Sequence, residues 1–312
     1  MGTLLLGHSD CLLHRNPPGH PERVERLVAV NAELEGDAFS GLVREEAPLV
    51  TDEAILRVHP EDYLRKLERD TPQEGLLPLD ADTVLGPHTL VAARRAAGAI
   101  VRAVDQVMDG AVKNGFCAVR PPGHHAETST PMGFCYLGTV VIGARHALDV
   151  YNLERVAIID FDVHHGNGTQ DLVWDDERIL FASTHQMPLY PGSGAQNERG
   201  RHGQIVNAPL SAGAGGAQFR QVMEDVVLPA VDRHRPEMIF ISAGFDAHKD
   251  DPLANLELVE DDFAWATGRL CDLADRHCFG RVVSTLEGGY DLPALASSVG
   301  AHVKVLMERG DG

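Results

Sequence analysis

What this chain lacks narrows it first. No stretch approaches the roughly 18 consecutive apolar residues that a membrane span needs, so no transmembrane helix is expected. The amino-terminal "MGTLLLGHSD" carries no basic region ahead of its apolar run, and that run is too short for a secretory leader. The five cysteines, at 11, 117, 135, 271 and 278, form no CxxC pair and are odd in number. Reduced thiols in the cytoplasm are the expectation. Basic residues are outnumbered, 27 Lys and Arg against 46 Asp and Glu, for a formal charge of −19. That balance opposes nucleic acid and anionic membrane as partners. No low-complexity segment, internal repeat or Pro/Gly/Ser linker divides the chain. Residues 1–312 therefore read as a single domain, large but within the range of α/β domains.

What is present is alternation. Unbroken apolar runs predict strands over 116–121, 155–161, 179–183, 238–244 and 281–287, with a weaker one over 203–209. Helical spacing fills 135–150, 169–174, 217–234, 261–277 and 292–307, the last beginning near Pro293. The first 110 residues read as more helical, with "HPERVERLVAVNAELE" and "TLVAARRAAGAIVRAVDQVMDG" the best candidates. Strands alternating with helices imply right-handed βαβ units on a mostly parallel sheet.

The polar residues then fall into place. Arg120 to His125, Asp160 to Asn167, Thr184-His185, Phe245-Asp246 and Glu287 to Tyr290 each follow a predicted strand. Open α/β sheets bind ligands at that carboxyl edge. In "IDFDVHHGNGTQ" (159–170), Asp162 and His164 are two apart, so in extended chain their side chains point the same way and can share an ion. Asp246, at a later strand end, offers a third ligand. One His and two Asp leave a coordination position open, as a catalytic divalent-cation site requires. His124 and His125 follow "RPPG" and have the chemistry to move a proton from water and to a leaving amine. Tyr290, after two glycines, can donate to a developing oxyanion. Phe134 and Tyr190 sit on loops where they could wall a channel. Each residue alone also has an ordinary structural reading, as a satisfied turn histidine or a packed aromatic.

"RPPGHHA", "GFCY", "DFDVHHGNGTQ", "SAGFDAHKDDPL" and "EGGY", in that order, resemble the signatures of the histone deacetylase and acetylpolyamine amidohydrolase superfamily, of the arginase–deacetylase fold. "GHPERVERL" and "VHPEDYL" extend the resemblance over nearly the whole chain, and Asn167 with "AGFDAHKDDP" looks like the class II and bacterial branch. The resemblance implies a three-layer αβα domain with about eight mostly parallel strands. It implies one zinc ion on Asp162, His164 and Asp246. His125 would be the general base, His124 would assist the leaving group, and Asp160 and Asn167 would be their partners. Tyr290 would polarise the amide carbonyl, and Gly133, Phe134, Tyr190, Leu253 and Gly288 would contact substrate. A structural potassium ion would use Asp160 and Ser183 with the carbonyls of Asp162, His164 and Thr184. The implied activity is hydrolysis of an N-acetyl or N-acyl lysine in a peptide or protein, or of a related small acyl amide.

Leu253 stands where polyamine-preferring relatives carry an acid, and no dimerising insertion is visible over 64–87, although an oligomer remains compatible with the sequence. "GFCYLGTV" replaces an asparagine-rich continuation and reads as helix packing. His248, two residues after Asp246, has the spacing of an extra ligand, so a two-metal ureohydrolase acting on guanidino compounds is the rival enzyme. An acetyl-lysine binder without turnover is the non-enzymatic rival, and the intact histidine pair with Tyr290 speaks against it.

Overall fold

Strands buried on both faces need unbroken apolar runs, and the computed structural model, which describes residues 2–311, places such runs at the centre of one sheet. Its strands are β1 (Thr3–Gly7), β2 (Val43–Glu46), β5 (Asn114–Cys117), β6 (Val156–Asp160), β7 (Ile179–Gln186), β8 (Ile205–Leu210), β9 (Ile239–Ala243) and β10 (Val282–Leu286). The short pair β3 (Leu77–Pro78) and β4 (Val84–Leu85) forms a separate antiparallel hairpin. The sheet has eight strands in the order β2-β1-β5-β10-β9-β6-β7-β8, and every pairing in it is parallel.

Helices α1 (Val24–Leu34), α2 (Asp52–Leu56), α3 (Glu61–Asp70), α4 (Thr89–Met108), α5 (Thr139–Val150), α6 (Asn167–Val173), α7 (Gly216–Val222), α8 (Leu228–His234), α9 (Glu260–His277) and α10 (Leu292–Gly310) make the outer layers. α4 packs on α5, while α10 packs on both α1 and α9. α10 starts where sequence rules place it. Pro293 occupies its first turn, and the Asp291 carboxylate accepts from the Ala294 N–H at 3.0 Å. The result is one α/β domain of three layers, matching the expected class.

The chain order places the site. β9 and β10 insert between β5 and β6, so the five strands β5, β10, β9, β6 and β7 lie side by side. Register keeps their ends level: Cys117 pairs with Thr285, Leu286 with Ala243, Ser242 with Asp160, and Asp160 with Ser183. Residues that follow those ends are thus delivered to one edge.

Three expectations need correction. The first 110 residues carry α1 to α4, in line with their more helical reading, and also strands that the reading did not include. "TLLLG" is a buried strand, and "VREE" is a mostly exposed edge strand without an apolar signature. β7 runs on to Gln186, so Ser183, Thr184 and His185 lie within the strand rather than beyond it. The helix expected over 217–234 is broken by a π turn at Met223–Val227. None of the described helices is long and apolar enough to cross a membrane, and all five cysteines are buried and unbridged.

Candidate active site and metal centre

Asp162, His164 and Asp246 meet as the alternating side chains of one extended segment and the crest of β9 require. Each offers a donor atom, and these atoms lie within 4.8 Å of one another. His164 Nδ1 is 3.2 Å from Asp162 Oδ1 and 3.1 Å from Asp246 Oδ2. Both carboxylates are fully buried and are steered by backbone N–H groups. Gly288 donates to Asp162 Oδ2 at 2.8 Å, and Val163 donates to Asp246 Oδ1 at 2.9 Å. Gly244 and Gly288 press against this pair so closely that a Cβ on either would overlap a carboxylate, Asp162 for Gly244 and both for Gly288.

The cluster is short of positive charge. Burial pushes the Asp246 carboxyl up to about 7, with repulsion from Asp162 adding to it. Burial opposes a charged His164, but its hydrogen bonds to Asp162 and Asp246 outweigh that and raise it to about 10. Two carboxylates competing for one imidazole proton are a donor set that a divalent cation satisfies better than protons do. The residues present therefore fit a metal ion.

Beside them stand His124 and His125, with ring centroids 4.0 Å apart. His124 Nδ1 is 2.9 Å from Asp160 Oδ2, and His125 Nδ1 donates to the Asn167 amide oxygen at 2.7 Å. The Asn167 nitrogen is turned to Glu127 at 2.8 Å, which fixes the amide in that orientation. The two rings are tuned in opposite directions. Burial would lower His124, yet the charges of Asp162 and Asp160 hold it well above the ordinary imidazole range. Burial and the neighbouring His124 and His164 push His125 well below that range.

A cavity of about 240 Å³ opens onto these groups, lined by His125, Gly133, Phe134, Tyr190, Leu253 and Tyr290 among others. The Phe134 and Tyr290 rings meet edge to face at 6.1 Å, and Tyr190 stands over His125 at 5.2 Å. Phe134 is held in a left-handed backbone (φ 68°), with its N–H on Thr83 Oγ1 at 3.1 Å. The His125 ring lies flat enough against Gly133 to leave no space for a Cβ there. Burial raises the Tyr290 phenol well above its usual pKa, despite the Arg26 guanidinium 4.8 Å above the ring, so it stays protonated.

Every residue expected at the site lies in this cluster or lines the cavity except Gly288, Ser183 and Thr184. Gly288 sits behind the metal-site carboxylates rather than on the channel wall. Ser183 lies beside Asp160 in register, where its hydroxyl meets the His185 ring at 2.9 Å, and Thr184 follows it in β7. His248 is buried and takes the Asp250 N–H at 3.2 Å, with Glu260 at 3.6 Å from its other nitrogen. Among the described residues, it is not part of the three-donor group. Sequence reading missed Asp82 and Leu189 on the cavity wall. It placed Glu287 at a strand end without a role; its buried carboxylate takes the N–H groups of Gly123 (2.7 Å) and His124 (3.2 Å) and so ties β10 to the histidine segment. The position of Glu287 after a strand was the only signal of that role.

A parallel α/β sheet with this pocket at its carboxyl edge is the setting of a family of hydrolases acting on acyl amides. The chain belongs to the histone deacetylase family, whose domain matches residues 20–306. It is 39% identical over 298 residues to a probable deacetylase of Archaeoglobus fulgidus, covering 94% of this chain and 82% of that one. It is 38% identical over 278 residues to the histone deacetylase-like amidohydrolase of Pseudomonas aeruginosa, covering 87% and 73%. The crystal structure of the HDA15 HD domain superposes with a TM-score of 0.93 at 33% identity, over 98% of this chain and 88% of that one.

Proposed function

We propose that the chain is a zinc-dependent deacylase that hydrolyses N-acetyl or N-acyl lysine, in a peptide, a protein or a small acyl amide. The observation that carries this reading is the meeting of Asp162, His164 and Asp246 with His125 and Tyr290 around one narrow, largely apolar cavity.

Asp162, His164 and Asp246 would hold the metal. A bound Zn²⁺ supplies Lewis acidity toward water and the amide carbonyl. His125 is neutral and gives its Nδ1 proton to Asn167, so its Nε2 lone pair is free to take a proton from the attacking water. His124, held as an imidazolium by the charges of Asp162 and Asp160, has the proton that the departing amine needs. The Tyr290 phenol donates to the oxyanion as it forms. Phe134, Tyr190 and Leu253 take the aliphatic lysine chain and exclude water. Gly133, under His125, keeps that wall thin. The apolar Leu253 offers no anion to a second ammonium, which counts against acetylated polyamines. His248, engaged by Asp250 and facing Glu260, counts against a two-metal enzyme for guanidino substrates.

A potassium ion on Asp160 and Ser183, with the carbonyls of Asp162, His164 and Thr184, belongs to the same reading, supported by the side-by-side register of Asp160 and Ser183. The five unbridged cysteines fit a cytoplasmic setting. A panel of acetyl-, trifluoroacetyl- and longer acyl-lysine peptides, acetylated polyamines and guanidino compounds tests the assignment. Stoichiometric release of carboxylate from the acyl-lysine peptides is expected. Urea release from the guanidino compounds, or peptide binding with no product, would overturn it.

A further inference from the structure

A second and larger cavity, about 590 Å³, adjoins the first and shares Leu253 and Tyr290 with it. Its outer wall is the segment 15–25, which carries Arg15, His20, Arg23 and Glu25. His20, on the wall of this cavity, meets Phe134, on the wall of the first, edge to face at 4.6 Å.

This segment is preformed. Pro17, Pro18 and Pro21 fix much of its backbone, and the His20 N–H closes a turn on the Pro17 carbonyl at 3.1 Å. The Asn16 side chain ties both ends together by donating to the Glu22 carbonyl (2.7 Å) and carboxylate (2.8 Å). His20 is bound at both ring nitrogens: Nδ1 lies 3.1 Å from both the N–H and the carbonyl oxygen of Glu22, and Nε2 donates to the Asp82 carbonyl at 2.9 Å. Glu22 is buried and already neutralised by Arg26 and Arg120, so its charge is not offered to the cavity.

The charges left are those of Arg15 and Arg23, both exposed, against Glu25. Neither guanidinium pairs with a carboxylate among the described residues, although acids outnumber bases 46 to 27 in this chain. Elsewhere on the surface most arginines are matched, as Arg65, Arg178 and Arg309 are. Two unmatched guanidinium groups against the single Glu25 leave this concave wall with a net positive charge, beside a catalytic pocket whose own wall carries Asp82. Screening over about 8 Å at physiological salt means that nearby charges, not the overall −19, decide which ligand is attracted there.

We propose that this cavity is a second substrate subsite, in which Arg15 and Arg23 bind a carboxylate carried by the acyl-lysine substrate. The inference rests on the deacylase reading and names the class of substrate preferred by it. Guanidinium groups suit this task because their planar forks match carboxylate geometry. The carboxylate has two sources, an acidic side chain flanking the acyl-lysine in a peptide or the free α-carboxylate of Nε-acetyl-lysine itself. Each exposed ion pair contributes modestly, so the two together give a preference of about tenfold rather than an absolute requirement.

The test uses the full chain and compares kcat/KM for an acetyl-lysine peptide with Ala neighbours against the same peptide with Glu neighbours, and for free Nε-acetyl-lysine against its α-amide. Affinity for all four is measured in parallel by calorimetry. In the wild type the acidic member of at least one pair is expected to be favoured about tenfold, through KM, and which pair responds identifies the source. In Arg15→Gln/Arg23→Gln that ratio is expected to fall to about one, and raised salt is expected to shrink it in the wild type. Equal affinity and kcat/KM within both wild-type pairs would overturn the subsite, as would a ratio unchanged in the double variant. Acidic preference in binding with no turnover of any substrate would leave the subsite standing and overturn the deacylase reading instead.

Discussion

His124 and His125 are sequence neighbours with touching rings, yet one faces the carboxylate of Asp160 and the other the uncharged amide of Asn167. A single backbone step thus separates a cationic imidazole from a neutral one. An acid and a base can coexist in one pocket at neutral pH only if their surroundings push their pKa values apart; here the charges of Asp162 and Asp160 raise His124, while burial and the neighbouring His124 and His164 lower His125.

Exchanging the partner of His125 should move its titration. In Asn167→Asp a carboxylate would favour the imidazolium, raising the His125 pKa by about one unit or more. A base must be unprotonated to act, so the acidic limb of the kcat/KM profile is expected to shift to higher pH. An unmoved limb, measured across pH 5 to 9 with a neutral acetyl-lysine peptide, would remove His125 from the role of base.

Tyr290 is expected to act on the transition state alone. Loss of one oxyanion donor typically lowers kcat by about 10² to 10³, so Tyr290→Phe should show that loss with metal content unchanged. Equal turnover in the variant would refute the assigned role.

Gly288 shapes the metal centre through what it lacks. Ala at this position places a methyl group onto the Asp246 and Asp162 carboxylates. Groups that orient metal ligands typically contribute 10- to 100-fold in affinity, and Gly288→Ala is expected to weaken Zn²⁺ binding by about that factor in competition with a chromophoric chelator. Wild-type affinity in the variant would show that the close approach is incidental.

Glu22 anchors the amino-terminal segment. Its carboxylate receives Arg120 at 2.5 and 2.7 Å and Arg26 at 3.1 Å, all without solvent contact. Burial alone would raise its pKa, but the Arg120 charge and the His14 hydrogen bond hold it well below the usual value near 4.5. Because the folded pKa is depressed, the pair's stabilisation is complete above about 4.5 and is lost as pH falls toward the folded value. Glu22→Ala, which leaves two buried guanidinium groups uncompensated, is expected to cost about 3–5 kcal/mol in urea unfolding at neutral pH. Glu22→Gln is expected to show a shallower acid-side decline than the wild type, because one depressed carboxyl no longer titrates. A cost below 1 kcal/mol would contradict this account.

The sequence made the catalytic edge legible because its strands are buried on both faces and so appear as plain apolar runs, each ending in polar residues. That pattern brings Asp162, His164 and Asp246 to one edge as candidate ligands, and the family resemblance names them as one set. β1 and β2 escaped for opposite reasons: "TLLLG" is too short to separate from a helix or leader, and "VREE" lies at an exposed edge where burial imposes no pattern. Asp82 and Leu189 come from loops, whose positions depend on the β3–β4 hairpin and on long-range packing rather than on local period. The Glu22–Arg120 pair spans 98 residues, a separation no local pattern encodes.

The most direct test of the central claim is metal stoichiometry. Protein stripped with a strong chelator and titrated with Zn²⁺ by calorimetry is predicted to bind one ion per chain, with deacylase activity returning in proportion, and Asp162→Asn and Asp246→Asn are predicted to lose that uptake. Absence of binding, a second equivalent needed for activity, or unchanged uptake in both variants would contradict it.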